Sequence, residues 1–344
     1  MARPLGGNNS TERRVGAVVS PGAEARSGGL RFVGPRRRYV ELAAPTDLFH
    51  SLRLHRFGKL DPTFRLAAGG LERAVHTPDG PGVIRIETRD RRGFEVQAWG
   101  PGRAWLLDRS LGMLGVDDGS DRFRPDHPRL RRMHRGLAGL RLCRSPTVFE
   151  TFVTVVLQQR VAWRDAVRSF LDLVRSFAEP APQSSLRCFP APVVFRDLGL
   201  ARYRWAGVDA QRARTLIQGA TSWRRLEGLA HRDPIESARR LQSLPGVGVW
   251  TSQSVLGFGL GWADAVPAGD HDLPRLVGAV LADEPRADDA RMLELLAPFR
   301  GHRWRVIRLL HESGVPPPRF GPRRGPGVGP APGRRGGPRR GGSG

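Results

Sequence analysis

Residues 244–251 read Leu244-Pro245-Gly246-Val247-Gly248-Val249-Trp250-Thr251, and this stretch decides the fold predicted for the second half of the chain. It follows a helix start at Asp233-Pro234-Ile235-Glu236, where an Asp cap precedes Pro and Glu stands three residues after the cap. The Pro-Gly-Val-Gly sequence ends that helix, and a second helix begins at Val249. Two glycines around one apolar residue allow a sharp turn whose N–H groups can hold a phosphate oxygen without reading a base. An ordinary tight connection between two helices is the alternative interpretation.

An acidic residue stands about 22 residues after this hairpin. Asp270 follows the apolar segment Ala265-Val266-Pro267-Ala268-Gly269, which Pro and Gly bend, and precedes a helix predicted over 272–282. A carboxylate at this place faces a helix N-terminus, which favours its ionised form. The alternative is a plain helix cap, because Asp is common at helix starts.

The chain is strongly basic. Its 344 residues include 56 Lys and Arg against 33 Asp and Glu, which gives a formal charge of +23. This balance favours a polyanionic partner, nucleic acid above all, over an arginine-rich bias with solvated surface charge. Residues 1–36 and 316–344 are basic and poor in apolar side chains, the second rich in Gly, Pro and Arg. They are therefore predicted to be disordered arms that bind phosphates without sequence preference.

The cysteines and the hydropathy exclude several classes of protein. Cys143 and Cys188 alone cannot build a disulfide framework or a four-thiolate iron–sulfur site. No apolar run approaches the ~20 residues of a membrane-spanning helix, and the N-terminus lacks the apolar core of a signal peptide. We therefore expect a cytoplasmic protein without a membrane partner.

The period of the apolar residues divides the folded part of the chain in two. Between 37 and 127 the period is mostly two, which predicts strands over 39–42, 83–88 and 94–99, a turn over 77–82, and a short helix over 46–55 capped by Thr46 or Asp47. Between 128 and 315 the period is helical, with apolar faces over 148–156 and 166–177 and further helices over 209–220, 233–243, 249–259, 272–282, 289–297 and 302–312. The predicted class is α+β, with a small antiparallel sheet carrying helices followed by a two-lobed all-helical domain.

Taken together, these motifs resemble a known family. The hairpin stretch, followed by Asp264-Ala265-Val266-Pro267 and Gly269-Asp270, is similar to the signature of the helix-hairpin-helix DNA glycosylases, and most of all to the DNA-3-methyladenine glycosylase II branch. The resemblance covers roughly residues 37–315 and is strong over 244–275. It implies that the helical domain is a helix-hairpin-helix glycosylase domain and that the small sheet precedes it.

The resemblance also assigns roles to single residues. It implies that Asp270 is catalytic and that the hairpin grips the DNA backbone through Pro245, Gly246, Val247, Gly248 and Thr251. The segment Val156-Leu157-Gln158-Gln159-Arg160-Val161 resembles the family's Leu-x-Gln segment, which places Gln159 in the base pocket and Arg160 at the wedge. Trp250 is assigned to the base pocket, with packing between helix and hairpin as the alternative. His271 is also assigned there, with a surface or capping position as the alternative.

Three positions depart from the family pattern and leave the excised base open. Ser254 stands where the alkylbase branch tends to carry a pocket aromatic, Arg160 stands where an apolar wedge is common, and Asp272 adds a second carboxylate. The primary hypothesis is a monofunctional glycosylase that excises alkylated purines of the 3-methyladenine type from duplex DNA in base excision repair. The alternatives are a glycosylase of the same fold for uracil, hypoxanthine or a mismatched base, and a non-catalytic DNA-binding protein.

The expected mechanism needs no metal and no cofactor, although the resemblance allows a monovalent cation at the hairpin carbonyls. The enzyme extrudes the nucleotide, and Asp270 stabilises positive charge on the sugar and orients the attacking water. Strand cleavage by an amine is not expected, because Lys59 is the only lysine and Trp250 stands where lyase relatives carry one. We expect a monomer that binds damaged duplex DNA at the nucleoid.

Overall fold

The computed structural model describes residues 34–316 and 318, so nearly all of the two predicted arms lies outside the described residues. The first part of the described chain forms a five-stranded sheet in the order β1-β5-β4-β3-β2, and every neighbouring pair is antiparallel. The strands are β1 (Arg36–Glu41), β2 (Phe64–Ala67), β3 (Gly70–Thr77), β4 (Gly80–Thr88) and β5 (Gly93–Trp99). The α+β class is therefore confirmed. Strand β1 begins at Arg36, the last residue of the predicted N-terminal arm.

The turn predicted over 77–82 is shorter in the structure. The hairpin between β3 and β4 closes at Thr77 and Gly80, and the Thr77 hydroxyl donates to the Gly80 carbonyl at 2.8 Å. Pro81 already lies in β4 opposite His76. Proline is tolerated near the start of a strand, where few ladder hydrogen bonds depend on its missing N–H.

Two helices accompany the sheet, α1 (Leu48–Leu52) and α2 (Arg103–Met113). Helix α1 is capped by Asp47, whose carboxylate accepts the His50 N–H at 3.0 Å, and a 3₁₀ turn over Arg53–His55 continues it to the predicted end. Helix α2 packs against the sheet and places the fully buried Leu106 over the apolar side chains of β4 and β5.

The remainder of the described chain is helical. Its helices are α3 (Pro128–Gly136), α4 (Val148–Leu157), α5 (Trp163–Phe177), α6 (Pro192–Asp197), α7 (Leu200–Trp205), α8 (Ala210–Thr221), α9 (Trp223–Glu227), α10 (Pro234–Gln242), α11 (Val249–Ser254), α12 (Leu273–Leu281), α13 (Asp289–Leu296) and α14 (Arg303–Glu312). Every helix predicted from the apolar period is present, and their buried side chains form one continuous core. The arrangement in two lobes stays a prediction.

The helix predicted over 249–259 changes its winding halfway. Helix α11 ends at Ser254, and residues Val255–Gly259 continue as a π-helical turn. The ring of Trp304 packs so closely on Gly257 that a Cβ there would lie 2.5 Å from a ring atom. Such π turns inside helices are frequent at functional sites because they redirect side chains, and this one directs Phe258 towards a cavity.

Charged residues on α14 tie the helical part to the sheet part. Arg53 pairs with the fully buried carboxylate of Glu312, and Arg308 lies 3.2 Å from the same carboxylate. Arg308 also donates to the carbonyls of His50 and Ser51, at 3.2 Å each. These bonds fix α1 and the turn after it against α14 and so join the sheet part to the helical part. Within the described residues, no helix is both long and apolar enough to cross a membrane.

Candidate active site

The hairpin between α10 and α11 has the shape that its glycines predict. Asp233 caps α10 and accepts the N–H groups of Ile235 and Glu236 at 2.8 and 3.2 Å. Gly246 has a φ of +83°, and a Cβ at this position would lie 2.0 Å from the hydroxyl of Thr215. The positive φ and the lack of room for a Cβ therefore each require glycine here.

The other glycine leaves the N-terminus of α11 open. A Cβ on Gly248 would meet nothing within 4 Å, and Gly248 and Val249 are both exposed. The first N–H groups of a helix have no carbonyl partner within that helix. The hairpin therefore presents unpaired N–H donors at a surface that a phosphate can approach closely.

Helix α8 supports both the hairpin and the end of α4. The Thr215 hydroxyl lies 3.1 Å from the Pro245 carbonyl, and Arg212 donates to the Leu157 carbonyl at 2.9 Å. Arg212 is itself buried and paired with Asp209. Helix α8 therefore holds both the loop after α4 and the hairpin.

The structure places the side chain of Gln159 against the hairpin. Its amide donates to the Gly246 carbonyl at 3.0 Å and to the Thr251 hydroxyl at 2.8 Å, so it braces the hairpin and does not line the cavity described below. Gln158, one residue earlier, lines that cavity. Arg160 is exposed and has a φ of 57°, a strained conformation for a residue with a side chain. It follows the brace at Gln159 in the chain, and its role as the wedge stays a prediction.

Asp270 is held by three N–H donors. Its Oδ1 accepts the backbone N–H groups of Asp272 and Leu273 at 2.9 Å each, at the start of α12. Its Oδ2 accepts the indole N–H of Trp250 at 2.9 Å. The helix N-terminus and these donors stabilise the negative charge, and they fix the carboxylate between the hairpin and α12.

Two other predicted pocket residues lie elsewhere. Trp250 does not line the cavity; it is half-buried and orients Asp270 through the hydrogen bond above. The side chain of His271 is 81% exposed, 3.9 Å from Asp272 and 3.4 Å from Arg275, so the surface position is the correct interpretation. The carboxylate of Asp272 is 55% exposed and caps nothing at α12.

A cavity of about 390 Å³ lies between the sheet part and the helical part. This volume is within the usual range for a small-molecule site, about 300–1,000 Å³. The aromatic rings at its wall belong to Phe57, Trp163 and Phe258, and Trp163 is half-exposed at the mouth. The polar residues at its wall are Arg53, His55, Asp61, Arg73, Glu150, Thr151, Thr154, Gln158 and His311.

Arg73 and Glu150 form a buried ion pair in this wall. Arg73 Nη2 lies 3.0 Å from Glu150 Oε1, and both side chains are at least 95% buried. The remaining polar atoms of the pair, Arg73 Nε and Nη1 and Glu150 Oε2, have no hydrogen-bond partner among the described residues. Burial raises the pKa of Glu150, and the Arg73 guanidinium opposes that rise.

Two histidines at the wall are held neutral. Burial lowers the pKa of His311 to about 4, with a further lowering by Arg308, while the charge of Asp270 acts in the opposite direction. Burial, Arg73 and Arg308 also lower the pKa of His55 well below its usual value. The charge of Asp270 therefore acts on a residue of the cavity wall, although Asp270 does not itself line the cavity.

Sequence reasoning missed most of the cavity wall. Glu150 stands inside the apolar stretch Val148-Phe149-Glu150-Thr151-Phe152-Val153, and a charged residue in a buried segment needs a partner. That signal marks Glu150 as unusual but does not identify Arg73, which is far away in the sequence. His311 gave no signal, because it lies in a helix without a motif. No cluster of three or more His, Cys, Asp or Glu side chains suited to a metal ion occurs within residues 34–316 and 318.

Comparisons with known proteins agree with this geometry. No protein-family model matches the sequence, and no curated protein matches it. Solved structures do match. A 3-methyladenine DNA glycosylase from Archaeoglobus fulgidus has a TM-score of 0.70 at 20% identity, over 80% of this chain and 98% of that one. MBOgg1 in complex with a low-affinity DNA ligand has a TM-score of 0.64 at 16% identity, over 87% and 98%.

A third similar structure is the Clostridium acetobutylicum 8-oxoguanine glycosylase/lyase in complex with double-stranded DNA. It has a TM-score of 0.62 at 12% identity, over 80% of this chain and 94% of that one. The chain therefore has the fold of the helix-hairpin-helix DNA glycosylases.

Proposed function

We propose that this chain is a monofunctional DNA N-glycosylase of base excision repair that uses Asp270 as its catalytic carboxylate. The observation that carries the proposal is the setting of this carboxylate: three N–H donors, from α11 of the hairpin and from the start of α12, hold it in a fixed position. The fold, shared with solved DNA glycosylases, supports the same reaction class. A non-catalytic DNA-binding protein would not need a carboxylate fixed by three N–H donors beside its hairpin.

The reaction begins with extrusion of the damaged nucleotide, which costs a few kcal/mol and is easiest for a damaged or mismatched base. The hairpin holds the backbone, Arg160 fills the place that the nucleotide leaves, and the base enters the cavity. Trp163, at the mouth of the cavity, can contact the face of the base as the base enters. Phosphate binding of this kind is independent of sequence.

Cleavage of the bond between sugar C1′ and the base nitrogen leaves its electron pair on the base and positive charge on the sugar. The Asp270 carboxylate stabilises that charge, and the surrounding N–H donors hold it in place. Water then adds to C1′, and its proton passes to the carboxylate. The products are a free base and an abasic site in an intact strand.

The hairpin also fits the monovalent cation that the resemblance allows. The carbonyls of Pro245 and Gly246 accept hydrogen bonds from Thr215 and Gln159, and each carbonyl oxygen keeps a second lone pair. A cation held by these oxygens would attract a DNA phosphate. The glycosylase reaction itself needs no cofactor in this proposal.

Two substrate classes fit this reaction. Alkylated purines of the 3-methyladenine type are implied by the resemblance and are the substrate named for the A. fulgidus protein. A different lesion is the second class, because the cavity wall does not include Trp250, the ring expected to stack on a cationic base.

The test of the proposal is the Asp270→Asn variant on duplexes that each carry one lesion. The amide keeps the size of the side chain but cannot neutralise a developing cation, so excision should fall by at least ~100-fold while binding to the lesion duplex persists. Asp272→Asn is the matched control, because its carboxylate is exposed and should matter little. Full activity of the Asp270 variant, or loss of activity in the Asp272 variant alone, would contradict the assignment.

A further inference from the structure

The loop that precedes Asp270 is held by two side chains from neighbouring helices. Gln253 on α11 accepts the Val266 N–H at 3.1 Å. Asp289, the first residue of α13, accepts the Gly269 N–H at 2.9 Å through its Oδ2. Gly269 stands directly before Asp270 in the chain. The second of these bonds therefore acts on the peptide next to the candidate catalytic carboxylate.

Gly269 is a point of this loop at which the backbone needs an external constraint. It is exposed and has a φ of +91°. Glycine populates positive and negative φ about equally, so the residue does not keep this conformation by itself. A Cβ built here would lie 3.8 Å from the Cβ of Trp250, an ordinary contact distance that leaves glycine its freedom. The bond to Asp289 supplies the constraint.

We propose that Asp289 is a positioning residue for the reaction: by holding the Gly269 N–H, it sets the direction from which the Asp270 carboxylate reaches the sugar. This inference rests on the proposed glycosylase function and adds a residue to its machinery. Asp289 does not line the cavity and acts through Asp270. A catalytic group displaced by about 1 Å can lose about 100-fold in rate, so a constraint on the preceding peptide has a large effect on the reaction.

Asp289 is not needed as the cap of α13. Asp288 already has this role, because its Oδ1 accepts the Arg291 N–H at 2.9 Å. The helix N-terminus favours any carboxylate in the first turn, but that benefit does not require a bond to Gly269. The Oδ1 of Asp289 is buried and has no hydrogen-bond partner among the described residues, which costs stability. The bond to the loop therefore explains this residue better than the start of the helix does.

The start of α13 is a firm anchor for the loop. A Cβ on Gly278 of α12 would lie 2.4 Å from the Cβ of Ala287, so the chain before α13 packs directly on α12. Arg291 on α13 pairs with Glu284 of the same connection at 2.8 Å. Helix α12 also donates the two backbone N–H groups to Asp270. The peptide before Asp270 and its carboxylate are thus held by two helices that pack on each other, as a precise site requires.

The experiment measures single-turnover release of the base by the full chain. The substrates are duplexes that carry one hypoxanthine, one uracil or one 8-oxoguanine, and methylated DNA scored for released 3-methyladenine. The substrate that the wild type cleaves fastest is then used for every variant. Binding is measured separately, on a duplex with one tetrahydrofuran analogue of an abasic site. Asp289→Ala should lower the rate about 10-fold and change binding by less than about twofold, because the hairpin is untouched.

Two further variants distinguish positioning from a structural effect. Asp289→Asn keeps an oxygen acceptor at the same place, so its rate should stay within about threefold of wild type. Asp288→Ala removes the cap of the same helix without touching the bond to Gly269. It should lower the thermal stability of the chain and leave the rate unchanged.

Either control can overturn the proposal. An equal loss of rate in Asp288→Ala and Asp289→Ala would make the effect one of helix stability, and an equal loss in Asp289→Asn and Asp289→Ala would show that the acceptor is not what matters. Should Asp289→Ala fail to fold, Asp289→Ser takes its place, because the serine oxygen lies one bond short of the position of Oδ2. It should show the same loss of rate.

The Asp270→Asn variant separates this inference from the function on which it rests. In that background, Asp289→Ala should lower the rate by less than about twofold further, because a positioning residue acts only through the group that it positions. A further loss of about 10-fold would overturn the inference and leave the catalytic role of Asp270 standing. Full activity of Asp270→Asn, or no release from any substrate by the folded wild type, would overturn the proposed function and the inference with it.

Discussion

At the scale of single residues, the Asp270 carboxylate depends on two different elements for its position. The backbone of α12 supplies two N–H donors to Oδ1, and the side chain of Trp250 on α11 supplies the third to Oδ2. Hydrogen bonds to a charged group contribute about 1.5–3 kcal/mol each. The indole therefore contributes to the orientation of the carboxylate without touching the cavity.

Replacing Trp250 by Phe tests this positioning role. The ring remains but the N–H is lost, so Oδ2 of Asp270 is no longer fixed and the excision rate should fall about 10-fold. Binding to the lesion duplex should stay within about twofold, because the hairpin backbone is unchanged. Single-turnover kinetics and fluorescence anisotropy measure the two effects separately.

The control for this variant is Trp205→Phe, which alters an indole that is 58% exposed and far from the motif in sequence. An equal loss of rate and of binding in Trp250→Phe would instead make Trp250 a DNA contact. An unchanged rate would show that the two amides of α12 suffice to hold the carboxylate.

At the scale of helices and strands, the elements that could be predicted are those with a local signal in the sequence, such as a cap, a glycine turn or an apolar period. The hairpin at Gly246 and Gly248 was predictable because a positive φ and a tight turn favour glycine over any other residue. The capped start of α10 at Asp233 and the apolar faces of α4 and α5 were predictable for similar reasons, since cap and period are properties of neighbouring residues.

Strands β2 and β3 were not predicted, and neither was the cavity wall. Strand β3 contains the adjacent charged residues Glu72 and Arg73, which hide the period of a strand. Both are buried because each has an ionic partner: Glu72 pairs with Arg65 and Arg85 of the neighbouring strands, and Arg73 pairs with Glu150 of α4, far away in the sequence. That Gln158 and not Gln159 lines the cavity could not be predicted for a related reason. The two lie at the end of α4, where the exact end of the helix decides which one faces the cavity.

The loop at Asp118 shows how one buried carboxylate joins three segments. Its Oδ2 accepts from Arg305 on α14 and from the Leu142 N–H, at 2.9 Å each, and its Oδ1 accepts from Arg141 at 3.2 Å. Burial raises the pKa of Asp118, but Arg305 and the hydrogen bonds lower it more, so the net shift is downward. This stabilisation is fully present above the ordinary carboxyl pKa and is lost as the pH falls through the lowered value.

Replacing Asp118 by Asn should therefore lower the free energy of unfolding by about 3–5 kcal/mol at neutral pH, because buried guanidinium groups lose their partner. The difference from wild type should shrink below about pH 4, where the carboxylate of the unfolded chain becomes protonated, and should vanish below the lowered pKa of the native carboxylate. Urea unfolding of both proteins at a series of pH values measures this difference in the free energy of unfolding. Asp117→Asn is the neighbouring control, since Asp117 is exposed. A difference that does not change with pH would exclude a charged role for Asp118.

At the scale of the whole molecule, the candidate site is built from both parts of the fold. The hairpin, Asp270 and Arg160 belong to the helical part, whereas Phe57, Asp61 and Arg73 of the cavity wall belong to the sheet part. The bonds of α14 to the turn after α1 hold the two parts together. The small sheet therefore takes part in forming the cavity.

In this arrangement the only lysine of the sequence lies nearer to the cavity than the sequence suggested. Lys59 is exposed and does not line the cavity, but its loop neighbours Phe57 and Asp61 do. A lyase needs an amine that attacks the sugar and forms a Schiff base. Arginine cannot take this role, since its pKa above ~12 leaves no free nucleophilic nitrogen. The only other amine of the chain, at its N-terminus, lies outside the described residues.

We predict that the enzyme leaves an intact abasic strand, because α11 carries no lysine and Lys59 does not line the cavity. Borohydride added during turnover on lesion DNA should trap no covalent adduct, and the product strand should break only after treatment with alkali. The Lys59→Ala variant is the matched control and should excise at the wild-type rate. A trapped adduct that disappears in this variant would make Lys59 a lyase nucleophile. An adduct that persists in it would implicate the N-terminal amine, and either result would contradict a monofunctional glycosylase.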